Sequence, residues 1–167
     1  MRTSPGKDRA RDEDGRARNS RPRDELGRPL PPGSVGVDRI PEDLDLPPAE
    51  SLEWAQDLLD RGLAFTAHEV LEGAWQSAPD DERMLWQGLA QLAVGITHIQ
   101  RGNTKGAVSL LERAAERIGH GDGPAPHGID APGLMRYADK LVSELDQAAD
   151  PDPDRLKPQL RGPSDPP

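Results

Sequence analysis

Two stretches of the chain hold the residue types that could do chemistry. Phe65 to Trp75, read as FTAHEVLEGAW, sets His68 and Glu72 four residues apart with Glu69 between them; Trp86 to Asn103, read as WQGLAQLAVGITHIQRGN, carries Gln87, Gln91 and His98 along one strip of an otherwise apolar helix. Residues four apart meet on a helix surface, so His68 and Glu72 should touch. A histidine and a carboxylate on one turn, joined by His98 from a facing helix, would make a two-histidine, one-carboxylate set of the kind that holds iron or zinc. His68, Glu72 and His98 are therefore the candidate ligands for a divalent metal.

Two other chemistries use the same residues. Glu72 could orient His68 as a general base without any metal, although no nucleophile or oxyanion motif stands beside the pair. Alternatively His68, Glu72, Gln91 and His98 satisfy one another as a buried hydrogen-bond network that fixes helix register. HEVLE is not the zinc-protease helix HExxH, because Glu72 takes the place of the second histidine. The candidate polar pocket is thus His68, Glu69, Glu72, Gln87, Gln91, His98 and Asn103, walled by Phe65, Trp75 and Trp86. Tryptophans at such positions serve a core more often than a ligand platform. His120 and His127 lie with Asp122 in a Gly/Pro-rich loop, where adventitious metal binding competes with plain mobility.

The elements that must position these residues read as helices. Pro47 and Pro48 suit a first helical turn, and Leu52, Ala55, Leu58 and Leu59 recur at helical spacing up to Gly62. A second helix runs from about Leu63 to Ser77, with Ala64, Ala67, Leu71, Trp75 and Ala78 as its apolar stripe, before Pro79 stops it. A third, opened by Asp80, Asp81 and Glu82 and reaching about Arg101, is apolar almost all round, so it should be the central helix. Gly88 and Gly95 flank its polar strip; glycine inside a helix costs about 1 kcal/mol relative to alanine, so both suggest close approach by a neighbouring helix or a ligand. Asn103 or Thr104 starts a fourth helix, buried on Ala107, Leu111, Ala114 and Ile118, and Asp130 with Pro132 opens a fifth that runs to about Ala148.

Composition sets the limits. Of eighteen prolines only Pro79 falls between Ala49 and Gly123. Residues 46–149 are therefore expected to form one helical domain, with residues 1–45 and 150–167 as disordered tails. There is no cysteine, which rules out disulfides and thiolate chemistry. No apolar run approaches the roughly 20 residues of a membrane span and the N-terminus lacks a signal-peptide pattern, so a cytoplasmic protein is expected. Residues 34–119 carry seven Lys and Arg against fifteen Asp and Glu, a balance that makes nucleic acid an unsuitable partner.

Sliding the chain by 40 residues lays RGLAFTAHEVLEGA (61–74) over RGNTKGAVSLLERA (101–114) with six identities. Two related helical hairpins are implied, the first with small-residue and proline spacing similar to a tetratricopeptide repeat. Glu72 matches Glu112 in this echo, whereas His68 is answered by Val108 and His98 by Leu58. The hairpin framework accepts apolar residues where the histidines stand.

HEVLEGAW, WQGLAQLAVGITH, RGN and GAVSLLERA, in this order and spacing, resemble the bacterial helical family known as domain of unknown function 309. The resemblance covers about Leu58 to Ile118. It implies a small all-helical fold with no established activity, with motif positions His68, Glu69, Glu72, Trp75, Gln87, Gly88, Gln91, His98, Gly102 and Asn103. The reading that follows is an all-α, five-helix bundle of repeat-like hairpins that binds a protein or peptide partner, or itself, on exposed hairpin surface. The alternative is a metal-dependent or acid-base enzyme, hydrolase-like, centred on His68, Glu72 and His98.

Overall fold

Glycine ends two of the helices in the same way, and these two turns fix the hairpins. A computed structural model describes residues 10–11, 17–18, 26, 46–121 and 123–162. The chain divides into two compact units, Met1–Asp38 and Arg39–Pro167. In the first, β1 (Ala10–Arg11) pairs antiparallel with β2 (Ala17–Arg18), Ala10 opposite Arg18. The expectation of disorder over residues 1–45 otherwise lies outside the described residues.

The second unit holds five helices: α1 (Pro48–Asp60), α2 (Ala64–Ser77), α3 (Arg83–Gln100), α4 (Thr104–Ile118) and α5 (Ala131–Asp146). Each packs on the next in chain order, α1 on α2 through to α4 on α5. Pro48 starts α1 at the turn where a missing N–H costs nothing. Asn103 and Asp130 cap α4 and α5 by accepting from Gly106 N and Gly133 N, each at 3.1 Å. No helix among the described residues is long and apolar enough to cross a membrane.

The 40-residue echo is structural. At the end of α1, Gly62 has φ +78° and Leu63 N donates to Leu58 O at 2.8 Å; at the end of α3, Gly102 has φ +80° and Asn103 N donates to His98 O at 2.8 Å. Only a residue without Cβ takes that left-handed position at no cost, and the six-to-one bond it permits closes the carbonyls left open at a helix end. Ala67, Leu71, Ala107 and Leu111, equivalent in the echo, are all fully buried.

Central α3 buries Leu85, Trp86, Leu89, Leu92, Ala93 and Ile96. Its two glycines answer a neighbouring helix: a Cβ on Gly88 would lie 2.8 Å from Ile118 Cγ1 and 3.0 Å from Ile118 N, and one on Gly95 would lie 3.0 Å from Leu111 Cδ2. α4 sits in that groove.

Two expectations need correction. The buried arc of α2 is turned from the expected stripe, because the helix is sandwiched between α1 and α3: Thr66 and Val70 are in the core, while Trp75 and Ala78 are only partly buried. The described part of the C-terminal segment is docked rather than disordered. Leu156 and Leu160 are 6% and 1% exposed, a 3-10 turn spans Pro153–Leu156, and Gln56 of α1 bonds the backbone at Pro158 and Leu160. Two leucines are enough to seat this proline-rich segment, which average composition conceals.

Candidate functional site

His68 and Glu72 meet as their spacing requires, with His68 Nε2 2.8 Å from Glu72 Oε2. His68 Nδ1 faces the Phe65 carbonyl at 3.1 Å, and the Phe65 and His68 rings lie 5.2 Å apart, tilted at 55°. Both ring nitrogens therefore face oxygens that only accept. The hydrogen bond from His68 holds the Glu72 carboxyl below its ordinary value, partly opposed by burial. The pair is local to one turn of α2.

The other members of the expected cluster find partners elsewhere. Gln91 Oε1 accepts from Arg117 Nη1 of α4 at 2.9 Å, so the polar strip of α3 at this point faces α4 rather than α2. His98, on the last turn of α3, has Nδ1 3.1 Å from Asn103 Nδ2. Since an amide N–H only donates, His98 Nδ1 accepts, and the same Asn103 uses its oxygen to cap α4. Burial, aided by the positive charge of Arg101, pushes the His98 imidazole below its ordinary value. Glu69 and Gln87 are partly buried on α2 and α3. His68, Glu72, Gln91 and His98 thus sit in three pairings, His68 with Glu72, Gln91 with Arg117 and His98 with Asn103, rather than bonding one another as one set among the described residues.

The three-ligand reading meets the same obstacle. Among the described residues no three His, Asp or Glu side chains are grouped to hold a metal ion, so His68, Glu72 and His98 are not assembled as one ligand set. His127 also departs from a plain mobile loop. It contacts Glu82 Oε1 at 2.8 Å through Nε2 and packs on Trp86, ring centroids 6.0 Å apart. Trp86, 1% exposed, donates its indole N–H to the same Glu82 oxygen at 3.2 Å. A cleft of about 420 Å³ opens beside them, lined by Pro47, Pro48, Ala74, Ala78, Glu82 and Trp86 among others.

The expected aromatic walls divide. Trp86 is core, but Phe65 and Trp75 stand partly exposed at the two ends of the α2 rim that carries His68 and Glu72. The Arg101 guanidinium lies 5.5 Å from the Phe65 ring centre and that of Arg83 5.5 Å from Trp75. Arg117 and Gln56 were missed in the sequence because each pairs with a residue 26 or more positions away, where no helical periodicity reports it.

Residues 52–110 match the family described as domain of unknown function (DUF309). A stretch of 48 residues is 44% identical to the uncharacterized protein YpuF of Bacillus subtilis (strain 168), and covers 28% of this chain and 28% of that protein. The similarity thus spans under a third of the curated relative's length. No solved structure matches the chain. The family match runs from α1 into α4 and includes His68, Glu72, Trp75, Gln91, His98 and Asn103; α5 and the docked C-terminal segment lie beyond it.

Proposed function

We propose that this chain is a cytoplasmic protein-interaction module, built of two hairpins in the manner of tetratricopeptide units, whose α2 rim contacts a protein partner. The observation that carries the reading is the rim itself. Phe65 and Trp75 lie partly buried at its ends, each backed by an arginine, and the His68–Glu72 pair lies between them. Aromatic rings and arginines are the residue types that dominate binding at protein interfaces. The pairing of His68 with Glu72, Gln91 with Arg117 and His98 with Asn103 supports this reading.

A photo-crosslinker placed at exposed Gln76, next to Trp75, tests the reading. The crosslinked partner is identified, purified and titrated against the folded wild type and the Phe65→Ala and Trp75→Ala variants. The reading expects direct binding that weakens at least about tenfold in both variants, a loss of about 1.4 kcal/mol each. A stoichiometric metal, or turnover abolished by His68→Gln and Glu72→Gln, would instead support the enzyme.

A further inference from the structure

The C-terminal segment is seated on the bundle as a bound peptide would be. Leu156, Pro158 and Leu160 are buried, while Lys157 is half-exposed and Gln159 exposed. That alternation is the period of an extended strand with one side inward. The bundle grips the main chain as well as the side chains. The Gln56 amide donates to Pro158 O at 2.9 Å and accepts from Leu160 N at 2.8 Å. Tyr137 donates to Arg155 O at 2.7 Å, Asp130 N to Leu160 O at 3.0 Å, and Gly162 N reaches Gly128 O at 3.1 Å. Burial pushes the Tyr137 hydroxyl well above its ordinary range, so it stays a donor.

Carboxylates stand at both ends of this groove. Glu144 holds Arg155 at 3.1 Å and Glu53 lies 3.9 Å from Arg161. Arg155 also lies over the Tyr137 ring, 4.9 Å from its centre, and its buried Nη2 has no hydrogen-bond partner among the described residues. The link back to α5, Gln147–Asp150, is exposed throughout, and Ala148 holds a left-handed φ of +60° that a residue with Cβ adopts at a cost. The segment is therefore tethered by a strained, unburied link.

We propose that the groove between α1, the Pro126–Asp130 turn and α5 is a binding site for an extended segment of a partner protein with the pattern Leu-x-Pro-x-Leu flanked by basic residues, and that Leu156–Arg161 occupies it in cis. Main-chain bonds supply affinity and alternate side-chain sockets supply the pattern, as in other modes that add an extended peptide to a fold. A tethered occupant competes at high effective concentration, so the site opens to a partner only when the strap is weakened or outcompeted. This inference rests on the interaction-module reading and places a second contact surface away from the α2 rim.

The test uses the full chain and a labelled peptide of the chain's own sequence, DRLKPQLRG (154–162), followed by fluorescence anisotropy. Leu160→Asp weakens the cis occupant and leaves the groove intact. The variant should bind the peptide at least tenfold tighter than wild type, and adding Gln56→Ala should cost at least tenfold of that gain. A peptide carrying the same Leu160→Asp change should not bind. Should Leu160→Asp fail to fold, a protease site in the exposed 148–150 link gives a nicked chain that should exchange its strap for the labelled peptide. Absence of peptide binding or exchange, equal binding by wild type and variant, or indifference to Gln56→Ala overturns the proposal. Concentration-dependent dimers dissolved by the peptide would make the occupant a second copy of this chain and overturn the assignment to a separate partner. Because Phe65→Ala and Trp75→Ala should leave peptide affinity unchanged, failure at the groove and failure at the rim are read separately.

Discussion

Asn103 joins His98 across the turn between α3 and α4, giving its Nδ2–H to His98 Nδ1 at 3.1 Å while its oxygen caps Gly106 N at 3.1 Å. One side chain thus ends one helix and begins the next. It also gives His98 a partner that has nothing to do with His68.

The first prediction follows from that pairing. The His98 imidazole titrates below 6.5 because burial and Arg101 disfavour its charged form. A base whose folded pKa is lowered holds fewer protons in the folded state, so its effect is absent above the ordinary value near 6.5 and stability falls as pH drops from there towards the folded value. An NMR titration of the four histidines should show the depressed value, moved part of the way back by Arg101→Gln. Asn103→Ala should cost about 1 kcal/mol of stability through loss of the cap.

The glycines of α3 should respond unequally. A Cβ on Gly88 meets the Ile118 backbone nitrogen at 3.0 Å, which cannot yield without moving α4, whereas on Gly95 it meets the end of the Leu111 side chain, which can turn. Gly88→Ala should therefore destabilise by about 1–2 kcal/mol in denaturant melts, because overpacking outweighs alanine's helix preference of about 1 kcal/mol. Gly95→Ala should stay within about 1 kcal/mol of wild type on the same balance.

The tryptophans should separate in the same assay. Trp86 is 1% exposed and bonded to Glu82, so Trp86→Ala should cost about 3–5 kcal/mol. Trp75, only partly buried on the α2 rim, should cost less than half as much as Trp86. Equal losses would mean that Trp75 is core.

Ala148 gives a stabilising change. It stands at the same left-handed closure as Gly62 and Gly102, with Ala149 N bonded to Glu144 O at 3.0 Å. Ala148→Gly should raise stability by about 1 kcal/mol by relieving the Cβ contact, read as an increased denaturant midpoint without a change in slope.

What the sequence made legible were features with a local cause. Helix ends followed from Pro48, Gly62, Pro79, Gly102, Asn103 and Asp130, whose effects act within a turn or two. The 40-residue echo located both left-handed glycines and the buried Ala67–Leu71 and Ala107–Leu111 pairs. The expected site was less legible, since His68–Glu72 is set by helical spacing but the partners of Gln91 and His98 depend on how α3 and α4 are rotated. The docked C-terminal segment was hidden for another reason: its two leucines and Pro158 bury themselves by strand-like alternation inside a stretch that average composition marks as polar.

The most direct test of the central claim, that the histidines belong to separate local pairs and not to one site, is a double-mutant cycle on His68→Val and His98→Leu measured by denaturant unfolding. The account predicts that the two stability changes add within about 0.5 kcal/mol, because His68 and His98 bond different side chains, Glu72 and Asn103. A coupling above about 1 kcal/mol, or a bound metal lost from the double variant, would contradict it.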